Sequence, residues 1–349
     1  GEPVHKDIAG SVDWVATRTK YFDVSLIAQP GQSDGAYLEG IRQGAANEGS
    51  KETYAIALKM PFRSQGTQKN SFTVFLGPLD IDVLKSYNRD LDRVLSLGWS
   101  WLIRPIAVWI MIPLFQLIHV VVPNWGLVII VFSIIIKVVL HPLTRTSMKS
   151  MKKMQALQPM MEEIRQKYKD DPQKMNAQIM NLYKEYGVNP AGGCLPLLLQ
   201  FPILIALYNV FRGAIELRQS EFFWWIKDLS IPDTIFTLPA KLPLFGIQEV
   251  SGLALLMGIT TFVQQKMSVK DPRQKTMVYV MPIMLTLLFN SFPSGLNLYY
   301  FVFNLLSIGQ QMLITRQHGD EPLRKVEPKK KYRGGVFGKY TKDLPRFKR

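Results

Sequence analysis

One cysteine, Cys194, and four histidines are all that 349 residues offer to metal or redox chemistry. A single cysteine excludes an internal disulfide and a Cys-based metal cluster. His5, His119, His141 and His318 lack metal-ligand spacing, and no HExxH motif occurs. No cofactor or metal is expected. The third shortage concerns acid. Apolar runs cover about 125–144, 193–213, 250–267, 276–292 and 295–315, and none of them holds an Asp or a Glu. Proton- and cation-coupled transporters usually place a carboxylate inside the membrane. That class loses its customary chemistry here.

What the interiors of the runs hold is one lysine, with Arg212 and Lys266 only at run ends. Asn124 to Arg145 reads NWGLVIIVFSIIIKVVLHPLTR, with Lys137 inside it. Roughly 20 apolar residues cross a bilayer core. A charge there is costly and marks a functional site by default. The whole chain is 47% hydrophobic and carries a net charge of +15. A basic balance fits nucleic acid, an anionic membrane surface or the ribosome. In a membrane protein it first reports that Lys and Arg collect on the cytoplasmic side.

Residues 1 to about 80 differ in kind. TKYFDVSLIA (19–28), ETYAIALKM (52–60) and SFTVFLG (71–77) read as strands. Tyr54, Ile56, Leu58 and Met60 alternate with smaller or polar neighbours, the period of a half-buried strand. QPGQSDG (29–35) and RSQGTQKN (63–70) read as turns. The prediction is an antiparallel sheet forming part of a β-sandwich. No catalytic cluster accompanies it, so binding or scaffolding is the expected role. No signal peptide or anchor precedes the strands. A sheet outside the cytoplasm would need an exporting segment before Gly1.

Leu84, Tyr87, Leu91, Val94 and Leu95 recur at helical spacing among Lys85, Arg89, Asp90 and Arg93. This predicts a short amphipathic helix ended by Gly98. WSWLIRPIAVWIMIPLFQLIHVVV (99–122) follows. It is apolar enough to span, but Arg104, Pro105, Pro113, Gln116 and His119 interrupt it and tryptophans crowd its start. Tryptophan favours the membrane interface. An interfacial helix is preferred to a further span.

Charge sets the direction of the five runs. Residues 145–187, the link 268–275 and the tail are rich in Lys and Arg. By contrast, 214–249 holds Glu216, Glu221, Asp228, Asp233 and Glu249 against Arg218, Lys227 and Lys241. The positive-inside rule puts the first three in the cytoplasm and 214–249 outside. Five spans with an external N-terminus satisfy this pattern. The expected order is a sheet domain (1–80), amphipathic and interfacial helices (81–123), a transmembrane core (124–316) with a cytoplasmic hairpin (145–187), and a basic cytoplasmic tail (317–349).

In the hairpin, Met148, Met151, Met154, Leu157, Met161, Ile164 and Tyr168 lie on one helical stripe. Pro159 should kink that helix or restart it. Asp171 then Pro172 is an N-cap followed by proline at the first helical position, and Gly187 supplies a C-cap. Two antiparallel helices are predicted. The methionines either pair these helices or offer partners an adaptable surface. Lys149, Lys152 and Lys153 are candidates to meet lipid phosphates or ribosomal RNA.

Ser133 and Lys137 are four apart and share a face. Asn297, Tyr300, Asn304, Ser307 and Gln311 step by 3, 4, 3 and 4 along the last run. The other runs offer Gln200, Tyr208 and Asn209, then Thr260, Thr261, Gln264 and Gln265, then Tyr279, Thr286 and Asn290. For each uncharged group alone, the plain reading is an interhelical hydrogen bond. For Lys137 alone it is snorkelling toward the cytoplasmic interface near Arg145. A lysine without an acid, beside a polar face on another helix, suggests instead a hydrated cavity open to the cytoplasm. Its expected lining is Lys137, Ser133, Gln200, Thr260, Gln264, Asn290, Asn297, Tyr300 and Asn304.

GVNPAGGCLPLLLQFPILIALYNVF (187–211), FFWWIKDLS (222–230), QQKM (264–267) and FPSGLNLYYFVFNLLSIGQQ (292–311) closely resemble the YidC/Oxa/Alb family of membrane protein insertases. The resemblance runs from about Trp99 to Arg316. WVATRTKYF (14–22) and FLGPLD (75–80) are similar to the end of the periplasmic β-domain of Gram-negative members. Those members add a signal-anchor helix and the start of the β-domain. The resemblance implies five α-helical spans around a hydrophilic groove, open to the cytoplasm and to lipid, in the bacterial inner membrane. It implies as partners nascent membrane proteins, the ribosome, the Sec translocon (SecYEG and SecDF) and membrane lipids, but no DNA. The family's groove charge is usually arginine. Lys137 stands in that place, four residues after Ser133 in a serine/threonine position, and Tyr300 matches a substrate-contacting tyrosine. Lysine keeps the charge and loses the planar fork that pairs bidentately with carboxylates. A mechanism that needs only positive potential carries over.

The expected function is insertion of nascent membrane proteins, without enzymatic chemistry. The rival is an anion-binding solute transporter or lipid flippase, which predicts an inverted repeat between halves; none is visible. An intramembrane protease is a weaker rival. Ser294–Gly295 sits in a turn, and no span supplies a His or Asp at a suitable spacing.

Overall fold

A computed structural model describes residues 3–44, 51–62, 64, 67–189, 192, 195–242, 246–269, 275–317 and 325. Cys194, most of the 268–275 link, part of the 63–70 turn, and the tail apart from Gln317 and Lys325 lie outside the described residues.

The N-terminal strands are β1 (Val4–Ala9), β2 (Trp14–Arg18), β3 (Phe22–Ala28), β4 (Gly35–Gln43), β5 (Lys51–Lys59) and β6 (Phe72–Pro78). They form two antiparallel sheets, ordered β1-β4-β5 and β2-β3-β6. Three of these strands match the runs read from the sequence; β1, β2 and β4 do not. β4 reads GAYLEGIRQ, where glycines and charges blur the alternation that signals a strand. In β3 the pleat turns Asp23, Ser25 and Ile27 inward and leaves Phe22 and Val24 exposed. Val24 pairs with Leu76 of β6, which is also exposed.

The single amphipathic helix expected after the sheet is instead two short turns. Asp80 caps α1 (Ile81–Ser86), accepting from the backbone N–H groups of Asp82 and Val83. The chain then reverses through Asn88 and Asp90, both at positive φ, into a 3₁₀ turn at Leu91–Val94. Asparagine and aspartate tolerate that backbone better than other side chains. Leu84, Leu91 and Leu95 still point into the core. The periodicity gave the buried face correctly and missed the break.

Next, α2 (Ile103–Pro105) passes through a π-helical stretch, Ile106–Met111, into α3 (Ile112–Val121). Ile103, Ala107, Met111, Phe115 and Ile118 are buried, while Trp109, Leu117, Val120 and Val121 are exposed. Both faces are apolar, which suits a helix with lipid on one side.

α4 (Trp125–Ala156) is one unbroken helix of 32 residues, about 48 Å long at 1.5 Å per residue. The core run and the first arm of the hairpin are therefore a single rod, not two elements meeting at residue 145. Pro142 lies inside it. From one turn further along the helix, Thr146 Oγ1 donates to the Pro142 carbonyl at 3.0 Å. The helix ends at Leu157 and restarts as α5 (Gln158–Lys167), with Pro159 in the first turn. α6 (Pro172–Glu185) follows, capped by Asp171, which accepts from the Lys174 N–H at 3.0 Å. Leu157, Met161, Leu182, Tyr186 and Val188 form the hairpin's own small core.

α7 (Leu195–Gly213) leads into a loop that holds a two-stranded sheet, β7 (Thr234–Thr237) and β8 (Glu249–Ser251), which the sequence reading did not anticipate. α8 (Gly252–Ser268), α9 (Lys275–Phe289) and α10 (Ser294–Gln317) complete the helical body. By length and composition, Ile103–Val121 and Trp125–Ala156 could cross a membrane; Leu198–Gly213 and Thr276–Phe289 are shorter apolar helices. Gly258 sets the approach of α8 to α9, because a Cβ there would lie 1.9 Å from Thr286 Oγ1. Small residues at such crossings let helix backbones come close.

Candidate functional site

α10 lies beside α4, and the two run in the same direction. A Cβ on Gly295 would touch Ile129 at 3.2 Å, and beyond that Lys137 meets Ser307 and Thr144 meets Gln310. On its other side α10 meets α8. Asn297 Nδ2 donates to Ser251 Oγ at 3.5 Å, Asn304 Nδ2 to Thr261 Oγ1 at 2.9 Å, and Ser268 Oγ to Gln311 Oε1 at 3.3 Å. The polar stripe predicted on this helix is thus shared between two neighbours. Asn297, Asn304 and Gln311 recur every seven residues, a spacing that drifts only about 20° around a helix, and they face α8. Ser307 and Gln310 face α4.

Lys137 is 7% exposed. Its Nζ donates to Ser307 Oγ at 2.7 Å and lies 4.7 Å from the centre of the Phe303 ring. Among the described residues it has no ion-pair partner. The ammonium points at α10 and so does not snorkel. Below it, Gln310 Nε2 bridges Thr144 Oγ1 at 3.0 Å and His141 Nδ1 at 3.1 Å.

The nine expected lining residues separate into groups. Ser133 shares Lys137's helix face but is fully buried, and it donates to the Ile129 carbonyl of its own helix at 2.7 Å. Thr260 and Asn304 stand at the α8–α10 contact, with Asn304 Nδ2 3.4 Å from Thr260 Oγ1. Gln200 and Gln264 are half-buried on α7 and α8. Tyr300 packs edge-on against Phe289 at 5.2 Å. Asn290 and Asn297 belong to the far end. Asn290 donates to the Glu249 carbonyl at 2.7 Å and accepts from the Ser251 N–H at 2.9 Å, so it ties α9 to β8. Asn297 also donates to the Phe289 carbonyl at 3.2 Å, across the α9–α10 turn.

Of the hairpin residues, Met154 packs against the hairpin core and Lys153 and Pro159 are exposed. Lys149 is half-buried. Lys152 Nζ donates to the Thr315 carbonyl at 3.1 Å, near the C-terminal end of α10, where a cation is favoured by the helix dipole. Gln155 Nε2 likewise donates to the Ser268 carbonyl at 2.6 Å, at the end of α8. From the tail, Lys325 Nζ reaches Glu185 Oε1 at 2.5 Å.

Sequence reasoning passed over Asp233, taking it only as a loop charge. It is buried and accepts from Trp225 Nε1 at 2.8 Å, the Leu253 N–H at 2.7 Å and Ser251 Oγ. It sits at the start of α8, where the unpaired N–H groups and the dipole favour an anion. The same loop holds the start of α10: the Ser294 and Gly295 N–H groups donate to the carbonyls of Ile231 and Leu229 at 2.8 and 2.9 Å. It also holds the sheets, through Tyr21 Oη on Ser230 Oγ at 3.0 Å.

Helices apolar on their outer faces, a polar seam around one buried lysine, and antiparallel sheets tied to one end define a membrane protein with a β-domain. Two family models match, 60Kd inner membrane protein over residues 117–321 and YidC periplasmic domain over residues 3–110. The chain belongs to the 60Kd inner membrane protein family. It is 43% identical over 319 residues to a protein of Chloroherpeton thalassium named membrane protein insertase YidC, covering 90% of this chain and 54% of that one. A protein of the same name from Chlorobium phaeovibrioides is 43% identical over 337 residues, covering 94% of this chain and 57% of its own. The chain thus spans about half the length of the curated relatives it matches. Among solved structures, one described as an active YidC insertase with the first transmembrane domain resolved is 22% identical, with a TM-score of 0.49, over 88% of this chain and 79% of that one.

Proposed function

We propose that this chain carries the inserting core of a membrane protein insertase in the bacterial inner membrane. The observation that carries the reading is Lys137, buried between α4 and α10 with Ser307 as its partner and no acid beside it among the described residues. The helices α4, α7, α8, α9 and α10 are the five spans. The sheets and the 214–249 loop face the periplasm; the hairpin and tail face the cytoplasm, as the positive-inside pattern requires. The 99–122 segment lies along the outer interface, with Trp99, Trp101 and Trp109 exposed.

A nascent apolar segment enters from the cytoplasm, and its polar flank rests in the seam near Lys137. Each interhelical hydrogen bond in a membrane contributes only about 1 kcal/mol, so the seam exchanges its internal partners for those of the guest at small cost. Positive potential favours an acidic flank, and the short dry path lowers the barrier to moving polar groups across. The apolar segment then leaves into lipid, which supplies the driving force. The hairpin and tail hold the ribosome, and the Sec translocon is a neighbour.

The test is a photo-crosslinker at Tyr300 or Gln264, with Leu313, on an exposed face of α10, as control. A stalled ribosome presents a single-span substrate. Adducts at Tyr300 and Gln264 are expected. Adducts at Leu313 alone overturn the seam as the path.

A further inference from the structure

A cavity of about 560 Å³ lies where the β-domain meets the helices, and its lining reaches Ile129, about two turns before Lys137 on α4. Trp125, at the start of α4, and Gly213, at the end of α7, both line it. Its walls are of two kinds. Ile112, Phe115, Ile129 and Phe211 bring apolar surface, while Arg18, Lys20, Arg212, Glu52, Asp80 and Glu216 bring charge of both signs. Clefts between domains with mostly apolar walls and a few placed polar groups are where small ligands bind, and this volume falls within their usual range.

The charges are not spent on each other. Among the described residues, neither Arg18, Arg212 nor Glu216 forms an ion pair. Arg18 Nη2 donates to Ser96 Oγ at 2.7 Å, and Arg212 Nη1 to Tyr208 Oη at 3.4 Å over a ring 5.9 Å away. These contacts hold each guanidinium in place and leave it donors to offer. Guanidinium groups match phosphate oxygens bidentately. Of the carboxylates, Glu52 pairs with Arg42 and Asp80 caps α1, which leaves Glu216 to call for a cation. Aromatic and aliphatic walls call for hydrocarbon.

We propose that this cavity binds a phospholipid whose head carries both a phosphate and a primary amine, the phosphatidylethanolamine class. The phosphate lies on Arg18 and Arg212, the amine on Glu216, and the upper part of an acyl chain against Phe115 and Phe211. The lipid bridges the β-domain, which supplies Arg18, to the helical body, which supplies the rest. The assignment rests on the reading above that these helix ends lie at the outer membrane surface.

The experiment uses the full chain, stripped of lipid in mild detergent, with dioleoyl phosphatidylethanolamine or dioleoyl phosphatidylglycerol added and retention read by native mass spectrometry. One phosphatidylethanolamine per chain is expected, with phosphatidylglycerol held about tenfold more weakly for want of the amine. Two variants locate the site. Arg18→Ala with Arg212→Ala removes the phosphate contacts. Gly213→Phe fills the cavity; a Cβ at Gly213 meets no atom within 4 Å, so the substitution has room. Each is expected to lower retention about tenfold. Equal retention of the two lipids, or full retention by Gly213→Phe, overturns the proposal. Loss of lipid binding with adducts intact at Tyr300 would leave the insertase reading standing, and lipid binding with no adducts there would do the reverse.

Discussion

Lys137 and Ser307 form a relay across the seam between α4 and α10. The ammonium donates to the serine hydroxyl at 2.7 Å, and that hydroxyl donates onward to the Phe303 carbonyl at 2.7 Å. The hydroxyl's proton is thus committed to the backbone, and its lone pairs are turned to the lysine. A charge without an acid is held by an oriented dipole and an aromatic face.

This arrangement makes the sign of the charge testable. Lys137→Arg keeps insertion near the native level, because positive potential survives. Lys137→Glu puts a carboxylate against a hydroxyl already donating elsewhere, and reduces insertion of an acidic-tailed single-span substrate about tenfold. Protease protection of the translocated tail in proteoliposomes measures it; unchanged protection in the Glu variant would make the charge dispensable.

Asn304 and Thr261 hold α10 to α8 by a hydrogen bond of 2.9 Å. A double-mutant cycle with Asn304→Ala and Thr261→Ala, read by thermal unfolding in detergent, is expected to give a coupling of about 1 kcal/mol. Additive effects would show that the contact does not hold the helices together.

Asp233 gathers the indole of Trp225 and the first turn of α8. Asp233→Ala leaves these donors buried and unpaired, and destabilises the protein by about 3 kcal/mol. Asp233→Asn keeps an acceptor and loses less. Denaturant unfolding ranks the two, and Trp225 fluorescence should shift to the red in the Ala variant. Equal stability of native and Ala forms would refute the clasp.

Asp23 faces inward in β3, with Ser25 Oγ bonded to one oxygen and Oδ1 without a partner. Burial, the largest influence, raises its pKa above the ordinary 3.8, against the smaller lowering by the Ser25 bond. The carboxylate is thus disfavoured in the fold. Stability from this group is full below the unfolded pKa and is lost as pH rises through the folded one. Asp23→Asn removes that dependence and stabilises the sheets at neutral pH. Amide hydrogen exchange in β3 and β6, compared between the two forms from about pH 3 to 7, reads it; slower exchange in native than in variant protein at neutral pH would reverse the sign.

The long apolar elements were legible because burial in lipid or core imposes apolar residues on nearly every position, and such runs stand out in any window. β1, β2 and β4 were not, because they are short or carry glycines and charges that weaken the alternation by which a strand is read. The break at Asn88–Asp90 was hidden for another reason. Two turns of helix separated by a reversal can present the same leucines to one core as a continuous helix would. The continuity of α4 past Pro142 was also hidden, since a proline in a sequence reads as a helix break and only packing decides that the helix runs on.

The chain by itself determined that one positive charge would sit among apolar helices with no acid in them, and that polar residues would line one side of α10. Composition and helical period are local properties, and they suffice for that. Only the tertiary structure decided that Lys137 turns to Ser307, that α10 divides its polar residues between α8 and α4, and that Asp233 closes the opposite end. Spacing tells which side chains share a face. Which neighbour that face meets depends on how several helices pack at once, and no window of sequence contains that information.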